Sequence, residues 1–343
     1  MTAIQWTDRT WNPVVGCRKV SEGCRHCYAE KMANRLAGMA RADEAAGRNA
    51  GRKSHYLPVI NERGKWNGTV QLVPEALADP LRWRKPSMVV VGSMSDPFHE
   101  DVPFDFIDRV FAIMALCPQH TFQVLTKRPE RMAEYLAVPW DERSLETGLD
   151  AIVLQRKYGD PPWQPDAKLW PLPNVWLGTS VEDQATADLR IPHLIQCPAA
   201  VRFLSCEPLL GPVDLLIDGE CSGWACREFG CTGCPGEDAA WTSLLDWIII
   251  GGESGHSARP CDVMWITELV RQCREASVPA FVKQLGSRPM LGDLSDPHGW
   301  AVEPGPVDWE TGRITVRDAK GGDMSEWPED LRVREFPEAT TTP

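Results

Sequence analysis

The sequence predicts an α/β protein built on a parallel (β/α) barrel, partial or complete, of about six to seven strands. Three observations predict it. Short apolar runs alternate with helical patterns through most of the chain up to Gly286. The runs are nearly all apolar, which marks strands covered on both faces. Each run then ends in small, polar or charged residues, and barrels carry their chemistry on that end of the strands. A doubly wound open sheet would instead gather such residues at one switch point.

Residues 10–16 are a short first strand. A cysteine loop follows, and then a helix is expected from Tyr28 to about Ala40, where good helix formers dominate. Residues 47–70 are rich in Gly, Asn and basic residues and read as a loop, and Pro74 opens a short helix. MVVVGSMSDPFHE begins as a buried strand, and FDFIDRVFAIMALC is an amphipathic helix. The rhythm continues with strand TFQVLTKR, helix PERMAEYLA, strand NVWLGTSVED and a helix over 183–196. VRFLSCEPLLG and DWIIIGGESG are strands, 262–276 is helical, and PAFVKQLG is the last strand.

Two insertions interrupt this pattern: an irregular Pro- and Trp-rich stretch at 139–173 and a Cys-rich one at 218–240. The barrel domain spans 1–290. Residues 291–343, with ETGRITV as a strand candidate and an acidic Pro-rich tail, are expected to be a peripheral, partly disordered extension.

No apolar run approaches the ~18 residues of a membrane span, and the N-terminus lacks a signal-peptide pattern. A cytoplasmic protein without membrane contact is expected. Twelve cysteines in such a compartment favour metal or redox sites over disulfides. The net charge of −12 argues against a surface generally coated by nucleic acid. Residues 1–70 differ, with twelve Lys+Arg against six Asp+Glu, so a basic face near the cysteine loop is one expectation and scattered solvated charge the other.

Cys17, Cys24 and Cys27 stand at C-x6-C-x2-C. Thiolates are soft ligands, and the inner C-x2-C grips one metal or one cluster edge. A structural zinc site takes four protein ligands, whereas a cubane held by three cysteines keeps one iron open. A zinc knuckle completed by His26 and three unrelated buried thiols are the alternatives. A second set, Cys221, Cys226, Cys231 and Cys234, suits a closed zinc site that would fold its insertion, with a second iron–sulfur cluster as the rival.

The strand ends supply the remaining candidates: Ser93, Ser95 and Asp96, then Lys127 and Arg128, then Ser180, Glu182 and Asp183. Cys206 and Glu207, then Gly251, Gly252, Glu253 and Ser254, and finally Lys283 and Gln284 follow. Glu182 and Glu253 are placed to bind an amine or ribose hydroxyls, Lys127 a carboxylate, and the glycine pair admits close backbone approach. The alternative for the acids is ion pairing with Lys127, Arg128 and Lys283. Cys206 is either a hydrogen-atom donor or a buried strand thiol.

A three-cysteine loop after the first strand, followed by a β/α barrel with Ser and Glu at its strand ends, resembles the radical S-adenosylmethionine (SAM) superfamily. The chain as a whole resembles a family of phage and prophage proteins of unassigned function, named after mycobacteriophage gene products thirty-seven and sixty-eight. The matching stretches are WNPVVGCRKVSEGCRHCYAE, GSMSDPFHE, LTKRPERM, LGTSVED, RFLSCEPLLG, IIGGESG and FVKQLG. The resemblance implies a radical-SAM-like barrel with a [4Fe–4S] cluster on Cys17, Cys24 and Cys27. It implies SAM on the open iron; the strand-end residues Ser93, Asp96, Lys127, Ser180, Glu182, Glu207, Gly251, Gly252 and Glu253 are then the candidates to contact it. It also implies an electron donor as partner and reductive cleavage of SAM to a 5′-deoxyadenosyl radical. The first cysteine gap here is six residues, against three in that superfamily. A nucleobase or nucleic-acid substrate accords with the phage association and the basic N-terminal stretch. The rival function is a non-catalytic, zinc-stabilised module that binds nucleic acid or protein.

Overall fold

The computed structural model describes residues 4–138, 171–215, 241–292 and 307–338. One sheet of seven strands runs in sequence order: β1 (Arg9–Trp11), β4 (Met88–Val91), β5 (Thr121–Thr126), β6 (Val175–Ser180), β7 (Val201–Cys206), β8 (Trp247–Gly251) and β10 (Ala280–Gln284). The strands are parallel, and the order starts at β1 and ends at β10 without pairing the two. The fold class is therefore α/β with the strand order of a partial parallel barrel. Sequential parallel strands need crossovers, and α2 (Phe104–Ala115), α3 (Pro129–Ala137), α4 (Gln184–Ile195) and α5 (Val263–Glu275) lie between strands. No helix among the described residues is long and apolar enough to cross a membrane.

The chain divides into two compact units. The first runs to Gly178 and includes Gln196–Ala200; the second comprises Thr179–Ile195 and the chain from Val201. In the first, Val89, Val90 and Val91 of β4 are all buried, as are Phe106, Val110 and Ile113 of α2. That continuous burial is why β4 reads as an unbroken apolar run. In the second, all five residues of β8 are buried. Gln272 of α5 donates to the Val213 carbonyl and accepts from the Leu215 amide, so that buried amide is satisfied.

The first strand is shorter than its apolar run. β1 ends at Trp11, and Val14–Val15 form a separate strand, β2, antiparallel to β3 (Gln71–Leu72). Asn12–Pro13 causes the break. Pro13 has no amide to continue a ladder. The Asn12 side chain instead accepts from Ser93 Oγ at 3.1 Å and from the Met94 amide at 3.0 Å. The helix after the cysteines, α1, spans Tyr28–Ala45, longer than expected because helix formers continue past Ala40. Pro74 opens a 3-10 turn, Pro74–Ala76.

The described part of the C-terminal extension, 307–338, packs within the second unit. Trp327 and Leu331 are buried. The Val282 amide donates to the Val333 carbonyl at 2.9 Å, and the Glu335 amide to the Ala280 carbonyl at 2.9 Å. These bonds cover the outer edge of β10, which would otherwise offer unpaired groups to another chain. Glu310–Val316, the strand candidate ETGRITV, makes only isolated bridges, Arg313 with Met290 and Ile314 with Val307. Two further short strands, β9 (Cys261–Asp262) and β11 (Pro289–Met290), pair with each other.

Candidate functional site

The cysteine loop is set against the end of β4. The Gly16 amide donates to the Met94 carbonyl at 3.1 Å, and Gly16 bridges in parallel to Ser95. Gly16 has φ of 93°, and a Cβ there would lie 2.8 Å from Val59 Cγ1, so only glycine serves. That register puts Cys17 beside Asp96. Cys24 ends the 3-10 turn Glu22–Cys24, and Cys27 is the N-cap of α1, where the positive end of the helix dipole lies. All three thiols are free of disulfides and partly exposed. Cys17 and Cys27 pack on a core patch that includes Ala29, Ala33, Val59 and Met94.

Buried ionic groups fix this loop. Asp96 accepts from Thr126 Oγ1 at 2.6 Å, from the Lys127 amide at 3.0 Å and from Arg128 Nη1 at 3.0 Å. Arg128, itself buried, also donates from Nε to Glu100 at 3.1 Å and from Nη2 to the Arg18 carbonyl at 3.3 Å. Arg18 returns to Glu100 at 2.6 Å. On the other side, buried Glu30 accepts from Lys19 Nζ at 3.2 Å, Lys65 Nζ at 3.0 Å and the Trp66 amide at 3.1 Å. Lys19 also reaches the Arg25 carbonyl at 3.3 Å, spanning the loop.

Burial pushes the Cys17 thiol up to about 12. Asp96 contributes to that rise, Arg128 opposes it, and Cys27 and Cys24 add smaller contributions. Cys17 is thus a neutral thiol at pH 7 unless a metal displaces its proton. Cys24 and Cys27 both lie within electrostatic reach of Cys17. Among the described residues, no group of three or more His, Cys, Asp or Glu is gathered so as to hold a metal ion. The second set, Cys221, Cys226, Cys231 and Cys234, lies outside the described residues.

Of the other strand-end candidates in the first unit, Ser95 has a buried hydroxyl without a hydrogen-bond partner among the described residues, and Ser93 has a local role. Ser93 binds Asn12 through its hydroxyl and accepts the Tyr28 hydroxyl on its carbonyl at 2.8 Å. In the second unit Glu182, Glu207 and Glu253 are paired, whereas Asp183 accepts from the Thr186 amide and hydroxyl. Glu182 meets Arg190 at 2.9 Å with both side chains buried, and the same Arg190 nitrogen donates to the Ser180 carbonyl. Glu207 meets Lys283 at 2.9 Å. Glu253 takes Arg259 Nη2 at 2.9 Å, Nε at 3.0 Å and the Arg259 amide at 2.8 Å. Of the expected partners, Arg128 takes Asp96 and Lys283 takes Glu207. Arg190 and Arg259 were not foreseen, although each follows its acid by only eight or six residues. Lys19 and Glu30 went unread for the opposite reason: Glu30 finds Lys65 thirty-five residues away.

Gly251 accepts the Leu209 amide at 3.0 Å. Gly252 donates to the Gln284 carbonyl at 3.1 Å, accepts from Gln284 Nε2 at 2.9 Å, and has no room for a Cβ against the Leu285 carbonyl. Close approach at this pair is therefore by β10 and the backbone that follows it. Cys206 is fully buried, and burial first, then Cys273, Glu207 and Glu182, hold its thiol well above the usual range.

No curated protein and no solved structure is similar enough to match this chain. A family described as "Protein of unknown function (DUF5131)" matches residues 1–311, and the chain belongs to that family of unknown function.

Proposed function

We propose that the chain is a radical SAM-type iron–sulfur enzyme in which Cys17, Cys24 and Cys27 hold a [4Fe–4S] cluster with SAM on its open iron. The observation that carries this reading is the thiol triad itself. Three disulfide-free, partly exposed cysteines lie just past the first strand of a parallel sheet, with Cys24 and Cys27 both in electrostatic reach of Cys17. They are not gathered about a single ion among the described residues. The count of three favours a cluster with an open iron over a structural zinc, which takes four protein ligands. When bound and reduced, the cluster supplies the electron that cleaves SAM to methionine and a 5′-deoxyadenosyl radical.

The chain's own residues then have definable tasks. Arg128, through the Arg18 carbonyl, and Glu30, through Lys19, hold the two arms of the cysteine loop. The helix dipole at Cys27 favours an anionic group there. Asp96 and Ser93 lie at the end of β4, against which the cysteine loop is set, so they are the first candidates for the amine of a ligand on the open iron. A nucleobase or nucleic-acid substrate accords with the basic first 70 residues, and the net charge of −12 confines any such contact to that region. The test is chemical. Anaerobically reconstituted protein, reduced with dithionite and given SAM, should release 5′-deoxyadenosine, and the triple Cys→Ala variant should release none. Intact, cluster-loaded protein that releases none would remove SAM chemistry from the proposal.

A further inference from the structure

Helix α1 packs with its small residues inward and its larger apolar ones outward. Ala29, Ala33, Ala37 and Ala40 are buried, whereas Tyr28, Met32 and Met39 are 58%, 42% and 45% exposed. With Val20 of the cysteine loop they make four of the seven exposed large apolar side chains among the described residues. Such crowding within residues 20–39 differs from the single exposed apolar groups any surface shows. Tyr28, Met32 and Met39 stand at i, i+4 and i+11, one stripe along three turns. Arg35, exposed, stands at i+7 in the same stripe, and its guanidinium makes no ion pair among the described residues. Lys31, one turn before Arg35, is exposed beside it.

The chemistry of the stripe selects its occupant. A lipid surface would have to take up Arg35 at the middle of the apolar row. A second copy would set like charges against each other. A nucleic acid binds through stacking faces, and the stripe offers one ring and two flexible thioethers. Methionines at helical spacing, with a cation among them, fit a protein helix that brings apolar side chains and a carboxylate. The Tyr28 ring is already fixed by its hydroxyl bond to Ser93, which lowers the ordering cost of docking.

We infer that the outer face of α1 is a docking site for an acidic protein partner. The partner lays an amphipathic helix along the stripe, with apolar groups on Tyr28, Met32 and Met39 and a carboxylate on Arg35. This holds whichever metal the cysteines bind. The probe is a labelled helical peptide with leucines facing the three apolar residues and glutamate facing Arg35, read by fluorescence anisotropy on the full chain. Met32→Asp and Arg35→Glu should each weaken binding about tenfold. A peptide with lysine in place of that glutamate should restore affinity for Arg35→Glu alone. Both positions are exposed, so coincident unfolding curves confirm that the variants fold. Failure of the peptide to bind, or binding that ignores both substitutions and the charge swap, overturns the inference. So does tighter, Arg35-dependent binding of oligothymidylate or of phosphatidylserine vesicles.

Discussion

Arg128 Nη2 donates to the backbone carbonyl of Arg18, the residue after Cys17, at 3.3 Å, while Arg128 Nη1 is bound to buried Asp96 at 3.0 Å. One guanidinium thus joins the ends of β4 and β5 to the first arm of the cysteine loop. Replacing it with methionine leaves the Asp96 carboxylate buried without its cation. Breaking a buried pair from one side costs about 3–5 kcal/mol. Urea unfolding of Arg128→Met should show a loss on that scale. Arg128→Lys should lose less but still release the Arg18 carbonyl, because one ammonium cannot reproduce the fork. A change below about 1 kcal/mol for Arg128→Met would contradict the clamp.

Glu30 gives a pH dependence of defined sign. Burial raises its pKa, but hydrogen bonds from Lys65, the Trp66 amide and Lys19 more than offset this and hold it below the ordinary value of 4.5. A carboxyl depressed in the fold binds fewer protons than it does unfolded, so its stabilisation is complete above about pH 4.5 and fades as pH falls through the folded value. Glu30→Gln should cost about 1–2 kcal/mol at pH 7, since Lys19 and Lys65 are partly exposed. The variant should also lose less stability than the parent between pH 5 and pH 3, that window being approximate. Parallel acid limbs would show that Glu30 is not the linked group.

The Glu182–Arg190 pair tests the second unit. Both side chains are buried and 2.9 Å apart. Arg190→Met alone should destabilise by about 3–5 kcal/mol, and adding Glu182→Leu should recover much of that loss. Additive losses would mean that the two groups are not coupled.

These pairings explain what could be read from the chain and what could not. Val89–Val91 and Ile248–Ile250 are continuous apolar runs, and such runs announce covered parallel strands before any contact is known. The order of the sheet follows the order of those runs. Asn12–Pro13 broke the first strand because a side-chain acceptor and a missing amide act against an otherwise suitable apolar run. The strand-end acids were visible, but their partners were not. Glu30 depends on a lysine in a distant loop, and Arg190 and Arg259 had no marker beyond their charge. Cysteine spacing was legible because a metal site is written in residue type and interval. The polar groups that steady it are set by tertiary contact.

The second cysteine set, Cys221, Cys226, Cys231 and Cys234, is a prediction from spacing alone. Four soft ligands within a Gly- and Pro-bounded insertion suit a closed tetrahedral zinc. Metal analysis should find about one zinc per chain that persists when iron is stripped from the first site. Reconstituted protein with about eight irons and no zinc would mark an auxiliary cluster instead.

The central claim is that Cys17, Cys24 and Cys27 hold an iron–sulfur cluster, and the most direct measurement is the metal content and visible spectrum of anaerobically purified protein. The prediction is about four irons per chain bound at this site and a broad absorption near ~400 nm. Cys17→Ala, Cys24→Ala and Cys27→Ala should each abolish that absorption while far-UV circular dichroism stays largely unchanged. Zinc held by these three cysteines, or colourless protein that takes up no iron on reconstitution, would contradict the account.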